Sequence, residues 1–217
     1  MRRVLPLLLL LAACGDPTVG PKVTGAPEPG NTTVVTTEPS AGTKPSLGKA
    51  PDDLHSVDWQ QATLPAEFCG VEKPVRFREG AAKATSTTWG GVDLWIHSER
   101  PVWFGDVDAD GRDEAAVNLG CDNGGGTAAS QLAFGLIVVR ANNGNLELVG
   151  EISATTMRDD AFHVPLLSDP RFEKGVITVK ELWYRPSDAN CCPTGASLTR
   201  WWLRDGTLKP DRAVQVS

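Results

Sequence analysis

All seven Trp and all six Phe of this chain lie beyond residue 52, and the stretch from Gly15 to Ala50 has no aromatic residue at all. Burial of apolar surface, aromatic surface above all, is what offsets the entropy cost of ordering a chain. Folding is therefore expected in residues 51–217, which make one domain by size. The preceding residues 14–50 are rich in Gly, Pro, Thr, Ser, Ala and Val with few charges, a composition that reads as a disordered linker. Its 36 residues from Gly15 to Ala50 would span roughly 30 to 35 Å as a flexible coil. Ser46 and Lys49 have the spacing of the serine-x-x-lysine motif of penicillin-binding enzymes, but the stretch reads as coil and lacks the helix and companion motifs that this chemistry needs.

Within residues 51–217 long runs with 3.6-residue spacing are few, whereas short strand-like runs are frequent. Val92 to Ile96, Glu114 to Leu119, Gln131 to Arg140, Leu146 to Ile152, Val176 to Tyr184 and Ser197 to Leu203 read as strands. Asn143-Gly144 and Asp205-Gly206 fall between such runs as hairpin turns would. Leu132, Phe134, Leu136 and Val138 alternate on one face of their strand, while Ile137 and Val139 make the other face apolar too. That strand is expected to be central and covered on both sides. The fold expected is all-β, with antiparallel sheets stacked as a sandwich or arranged radially as in part of a propeller.

The sharpest chemistry lies in Asp106-Val107-Asp108-Ala109-Asp110-Gly111-Arg112-Asp113-Glu114. Carboxylates at positions 1, 3 and 5 converge if Gly at position 6 permits a sharp turn. A backbone carbonyl at position 7 and an acid further on then complete an all-oxygen shell. Asp106, Asp108, Asp110, the Arg112 carbonyl and Glu114 are the candidate ligands. Oxygen donors in that number suit Ca2+, since zinc would want His or Cys. An EF-hand is excluded, because Val117 stands at position 12 where that motif needs Glu, and both flanks read as strands. The single strand-loop-strand unit resembles the calcium loops of FG-GAP (VCBS) repeats, in which the ninth position closes the shell. The resemblance implies a calcium-binding loop in a β-domain, with Glu114 where the family usually carries Asp.

At the amino end Arg2 and Arg3 precede an apolar run from Val4 to Ala13, which closes on Leu11-Ala12-Ala13-Cys14. Ten apolar residues are too few for a membrane helix, which needs roughly 20. The order of these features resembles the signal peptide and lipobox of bacterial lipoproteins. The resemblance implies attachment of a diacylglyceryl group with palmitate-like chains to the Cys14 thiol and removal of residues 1–13, often followed by acylation of the new amino terminus. The protein would then be membrane-anchored on the extracytoplasmic face. Losing the signal removes two of the 21 basic residues and none of the 27 acidic ones, which leaves a formal charge of −8. This balance argues against a nucleic-acid footprint and suits cation binding.

Cys69, Cys121, Cys191 and Cys192 remain after Cys14, an even number that favours two disulfides outside the cytoplasm. On an extended strand adjacent side chains point to opposite faces, so Cys191 and Cys192 are each expected to reach back to Cys69 or Cys121. By the same rule one of Trp201 and Trp202 is expected at the surface. No nucleophile elbow, zinc-protease, phosphate-loop or dinucleotide motif is present, and His55, His97 and His163 are scattered, with His97 beside Ser98 and Glu99 the best-placed candidate base. The function expected is a binding module of the cell envelope, with a polysaccharide or protein ligand. The alternative is an extracytoplasmic hydrolase.

Overall fold

The computed structural model describes residues 46–125, 130–155 and 163–217. Cys14, the signal segment and the linker up to residue 45 lie outside the described residues. In chain order the strands are β1 (Ser46–Lys49), β2 (Thr63–Ala66), β3 (Val71–Arg76), β4 (Ala81–Ser86), β5 (Gly90–Ile96), β6 (Val102–Gly105), β7 (Glu114–Asp122), β8 (Gln131–Asn142), β9 (Asn145–Ser153), β10 (Leu166–Glu173), β11 (Val176–Trp183), β12 (Gly195–Arg204), β13 (Thr207–Pro210) and β14 (Val214–Gln215). Three one-turn 3-10 helices cover Leu54–Ser56, Trp59–Gln61 and Glu67–Cys69, and no α-helix occurs among the described residues. The fold is all-β, and every strand pairing is antiparallel.

The largest sheet runs β1-β9-β8-β7-β5-β4, with β6 also on β7. The second runs β10-β11-β12-β13, with β14 on β12, and β2 and β3 form a separate hairpin. Hairpin geometry follows from the turn residues. Asn143 and Gly144 have φ of +50° and +70°, Asp205 and Gly206 +51° and +70°. Left-handed backbone at both central positions is the two-residue turn whose twist matches the strands it joins. Glu79 and Gly80, at φ of +53° and +76°, repeat the device ahead of β4, a turn the strand-pattern reading missed.

Strand β8 is central, as its two-faced pattern predicts. Phe134, Leu136 and Val138 enter a core shared with Ile177, Val179, Trp201 and Leu208 of the second sheet, whereas Leu132, expected on the same face, packs against the other core at the register shift between Cys121 and Asp122. Ile137, Val139 and Ala141 enter a different core, shared with Leu54, Trp59, Leu64 and Phe77. Two sheets therefore stack face to face, and the β2–β3 hairpin with its 3-10 turns caps the opposite face of the large sheet. Each fully buried Leu, Ile or Val side chain contributes roughly 1.5–3 kcal/mol relative to exposure. Trp201 is buried and its neighbour Trp202 half-buried, as opposite-facing strand neighbours should be.

Two expectations need correction. Ser46–Lys49 is not coil: it pairs with Asn145–Glu147 as the edge strand of the large sheet, and Leu47 joins the first core. The cysteines pair as Cys69–Cys121 and Cys191–Cys192 instead of crossing between the two sets. The opposite-face rule holds only in extended backbone. Cys191 and Cys192 lie in a turn, where the Cys192 amide donates to the Ala189 carbonyl at 2.9 Å, and the bend brings both sulfurs to one side. Cys69–Cys121 joins the 3-10 turn after β2 to the middle of the large sheet, with its Cα atoms 6.2 Å apart.

Candidate metal centre and interlayer cleft

Strand β6 ends at Gly105 and β7 begins at Glu114, and the residues between them form the acidic loop. Asp106 shapes it from within: one carboxylate oxygen accepts the Ala109 amide at 2.6 Å and the other the Gly111 amide at 2.9 Å. Gly111 has φ of +86°, the conformation anticipated for position 6 of the loop. Ala109 also lies in the left-handed region, at φ +62°, which costs a residue with a Cβ about 1 kcal/mol or more. Val107 is fully buried in the second core, and its carbonyl accepts the Gly175 amide of the β10–β11 turn at 2.7 Å. The loop is thus pegged to the second sheet.

Ligand atoms of Asp106, Asp108 and Glu114 lie within 4.8 Å of one another. Asp110 does not join them. Its carboxylate is taken by Arg112, with the guanidinium at 2.6 and 3.0 Å and the Arg112 amide at 2.9 Å, and this hydrogen bonding holds Asp110 below the usual carboxylate range. The Arg112 side chain is occupied in turn, and its pKa is raised by the same pair. Of the four acidic ligands read from the spacing, three converge and one is diverted.

Glu114 is almost fully buried, and burial pushes its carboxyl up to about 7. The Val107 amide, donating at 2.7 Å, opposes that rise, while the negative charges of Asp108 and Asp110 add to it. Arg140 of β8 approaches Asp108 at 3.5 Å and Glu147 at 3.3 Å. On the other side His55 stacks on Phe104 at 3.8 Å between centroids and meets Asp113 at 3.0 Å. Neither Arg140 nor His55 is detectable from loop spacing, because they stand 32 and 58 residues from their partners in the chain. The donor set fits a hard divalent cation: three oxygen donors, one buried with no countercharge of its own, on a loop closed by its own amides. Calcium takes six to eight oxygens, so backbone carbonyls or water would complete its shell.

A second feature is a cleft of about 430 Å3 where the two sheets part. Trp95, Trp103, Phe134 and Tyr184 wall it, and His97, Glu99, Arg100, Asn118 and Gln131 add polar groups. His97 Nδ1 is shut off from solvent and has no hydrogen-bond partner among the described residues. Glu99 lines the same cleft but Ser98 does not, so the His97-Ser98-Glu99 triplet is not assembled as a catalytic group. His55 is engaged elsewhere, with Asp113, whereas His163 meets Asn190 of the cleft lining at 3.1 Å and packs on Tyr184.

A third polar group was missed by the sequence reading. Glu181 is fully buried in β11, and its carboxylate accepts from the Thr155 amide at 3.1 Å and from the hydroxyls of Thr155 and Thr199 at 2.8 and 2.5 Å. Its sequence signal is a lone charge on the apolar face set by Ile177, Val179 and Trp183. Compared with family models, curated proteins and solved structures, the chain matches none.

Proposed function

We propose that this protein is a lipid-anchored extracytoplasmic lipoprotein whose β-domain, braced by calcium and disulfides, serves as a binding module of the cell envelope. The observation that carries this reading is the convergence of Asp106, Asp108 and Glu114 on a loop pegged by Val107 to the second sheet. A divalent cation there would offset the charge of three carboxylates that have only Arg140, 3.5 Å from Asp108, as a cationic neighbour among the ion pairs of the described residues, and its binding energy becomes folding energy. Asp106 and Glu114 would hold it from the two ends of the loop and Asp108 from its middle. Asp110 neutralises Arg112 beside the site instead of ligating. The anchor rests on Cys14 and the lipoprotein-like signal before it; no helix among the described residues is long and apolar enough to cross a membrane. The Cys69–Cys121 bond suits an oxidising compartment. A polysaccharide or protein of the envelope is the class of partner that such a tethered, acidic domain would meet.

Two measurements test the reading. Calcium at 100 times its Kd should stabilise the wild type by about 2.7 kcal/mol relative to chelator, and Asp108→Ala should abolish that difference. Equal melting temperatures of wild type in calcium and in chelator would remove the calcium assignment. For the anchor, Cys14→Ser should shift the protein from the membrane fraction to the soluble fraction. Unchanged membrane association of that variant would remove the lipid anchor.

A further inference from the structure

Trp95 in the interlayer cleft is mounted in an unusual way. It lies directly across from Gly120 in the pairing of β5 with β7, and a Cβ on Gly120 would overlap the six-membered ring of its indole. One face of the indole therefore rests on bare backbone, a close approach that only glycine allows. Phe134 supports it edge-on, at 6.1 Å between centroids and 88° between planes. The side chain remains half-buried and lines the cleft, so part of the ring surface is still on offer.

Around this platform the polar groups are mostly planar. Asn118, Gln131 and Asn190 are amides, and Glu99 and Arg100 are the charged lining residues. Arg100 is itself held by Asp169 at 2.9 Å. Asp169 sits at a β-bulge in β10 with φ of +49°, and this bulge forms the far lip of the cleft beside Ser168. Bulges of this kind re-aim the residues at a site. With Arg100 paired to Asp169, the Glu99 carboxylate is the remaining charge; it disfavours an anion and can accept hydrogen bonds from hydroxyls. The floor is made by side chains of β7 and β8, Asn118 from the first and Gln131 and Phe134 from the second.

An aromatic platform ringed by planar hydrogen-bonding side chains matches one ligand chemistry well: a ring with an apolar C–H face and hydroxyls at its rim. We propose that this cleft binds a neutral saccharide, stacked on Trp95 and held through its hydroxyls by Glu99, Asn118, Gln131 and Asn190. The volume falls within the range of about 300–1,000 Å3 usual for small-molecule sites. The inference rests on reading the domain as an envelope-binding module and names the ligand class of that module.

Isothermal titration calorimetry of the full chain in a non-glycosidic detergent, with glucose, galactose, mannose, N-acetylglucosamine and chitobiose as probes, tests it. At least one sugar should bind. Trp95→Leu and Gly120→Ala should each weaken that binding roughly tenfold, whereas Trp89→Ala, which changes an exposed tryptophan outside the cleft, should leave it unchanged. If Trp95→Leu and Gly120→Ala do not fold, Glu99→Ala and Asn190→Ala at exposed positions decide: weaker binding in either supports the site, and unchanged binding in both overturns it. The proposal is also overturned if none of the five sugars binds, or if folded Trp95→Leu and Gly120→Ala bind as the wild type does. Displacement of the sugar by tetramethylammonium at lower concentration would overturn it too, in favour of a cage for cations. Failure of the sugars with calcium stabilisation and membrane anchoring intact would remove the ligand class and leave the tethered calcium-braced module standing.

Discussion

On one face of the large sheet the covering layer is fastened by a covalent bond, whereas on the other face the second sheet is fastened by burial and by polar groups. The β2–β3 layer is joined to β7 through Cys69–Cys121. The second sheet is joined through the shared core, the Val107 peg and the acidic loop, with the buried Glu181 cluster bracing its own strands. The first fastening depends on the redox state of the surroundings, with the buried Glu151 carboxylate of β9 adding a proton-sensitive hold on the Glu67 and Phe68 amides. The second has no covalent link among the described residues and depends on protons and on any cation the loop holds. One domain thus carries two kinds of brace that different conditions would release separately.

The largest expected effect separates the braces by breaking the covalent one. Cys69 and Cys121 are 52 residues apart, and a loop of that length restricts the unfolded chain by roughly 4 kcal/mol on the chain-entropy model. Cys69→Ala with Cys121→Ala should lower stability by about that amount in guanidinium unfolding. Cys191→Ser with Cys192→Ser joins neighbours and closes no long loop, so its cost should stay within about 0.5 kcal/mol, as for other exposed changes. Equal losses from the two pairs would contradict the assignment of the Cys69–Cys121 bond as the brace of this face.

The two braces also differ in how far the sequence revealed them. The acidic loop was legible, because its ligands and its glycine lie within nine consecutive residues and the spacing carries the geometry. So were β8 and its turn at Asn143-Gly144, which depend on local alternation and local backbone preference. What was hidden depends on contacts remote in sequence. Arg112 diverts Asp110 through side-chain geometry that spacing does not encode, and Arg140 reaches Asp108 only because β8 lies beside β7. Strands β2, β3 and β10 each carry a proline, at Pro65, Pro74 and Pro170, which weakens the strand signal although such positions are tolerated at edges and bulges. β1 has a single apolar residue, Leu47, and becomes a strand by borrowing the free edge of β9. The cysteine pairing departs from the opposite-face rule because that rule holds for extended strands, and Cys191 and Cys192 lie in a turn.

A smaller effect sharpens the comparison through pH. Glu114 has a folded-state pKa of about 7, above the value near 4.3 expected in the unfolded chain, because burial disfavours its charge. A carboxyl raised in this way contributes stability that is fully present below the unfolded pKa and is lost as pH rises through about 7. The chelated protein should therefore lose on the order of 2 kcal/mol between pH 5 and pH 8 from this group. Glu151 lies on β9, where it accepts the Phe68 amide at 2.9 Å and the Glu67 amide at 3.2 Å; burial raises it too, so it adds to the same trend. Glu114→Gln should flatten most of the slope in chelator and leave the part due to Glu151. Saturating calcium should abolish the Glu114 part of the slope in the wild type, since the bound cation keeps that carboxylate deprotonated in the folded state as it already is in the unfolded chain between pH 5 and 8. Melting temperatures at pH 5, 6, 7 and 8, in calcium and in chelator, compare the two slopes. A chelated wild type that gains stability as pH rises would show that Glu114 is not held against its charge, and that the loop needs no cation to sit where it does.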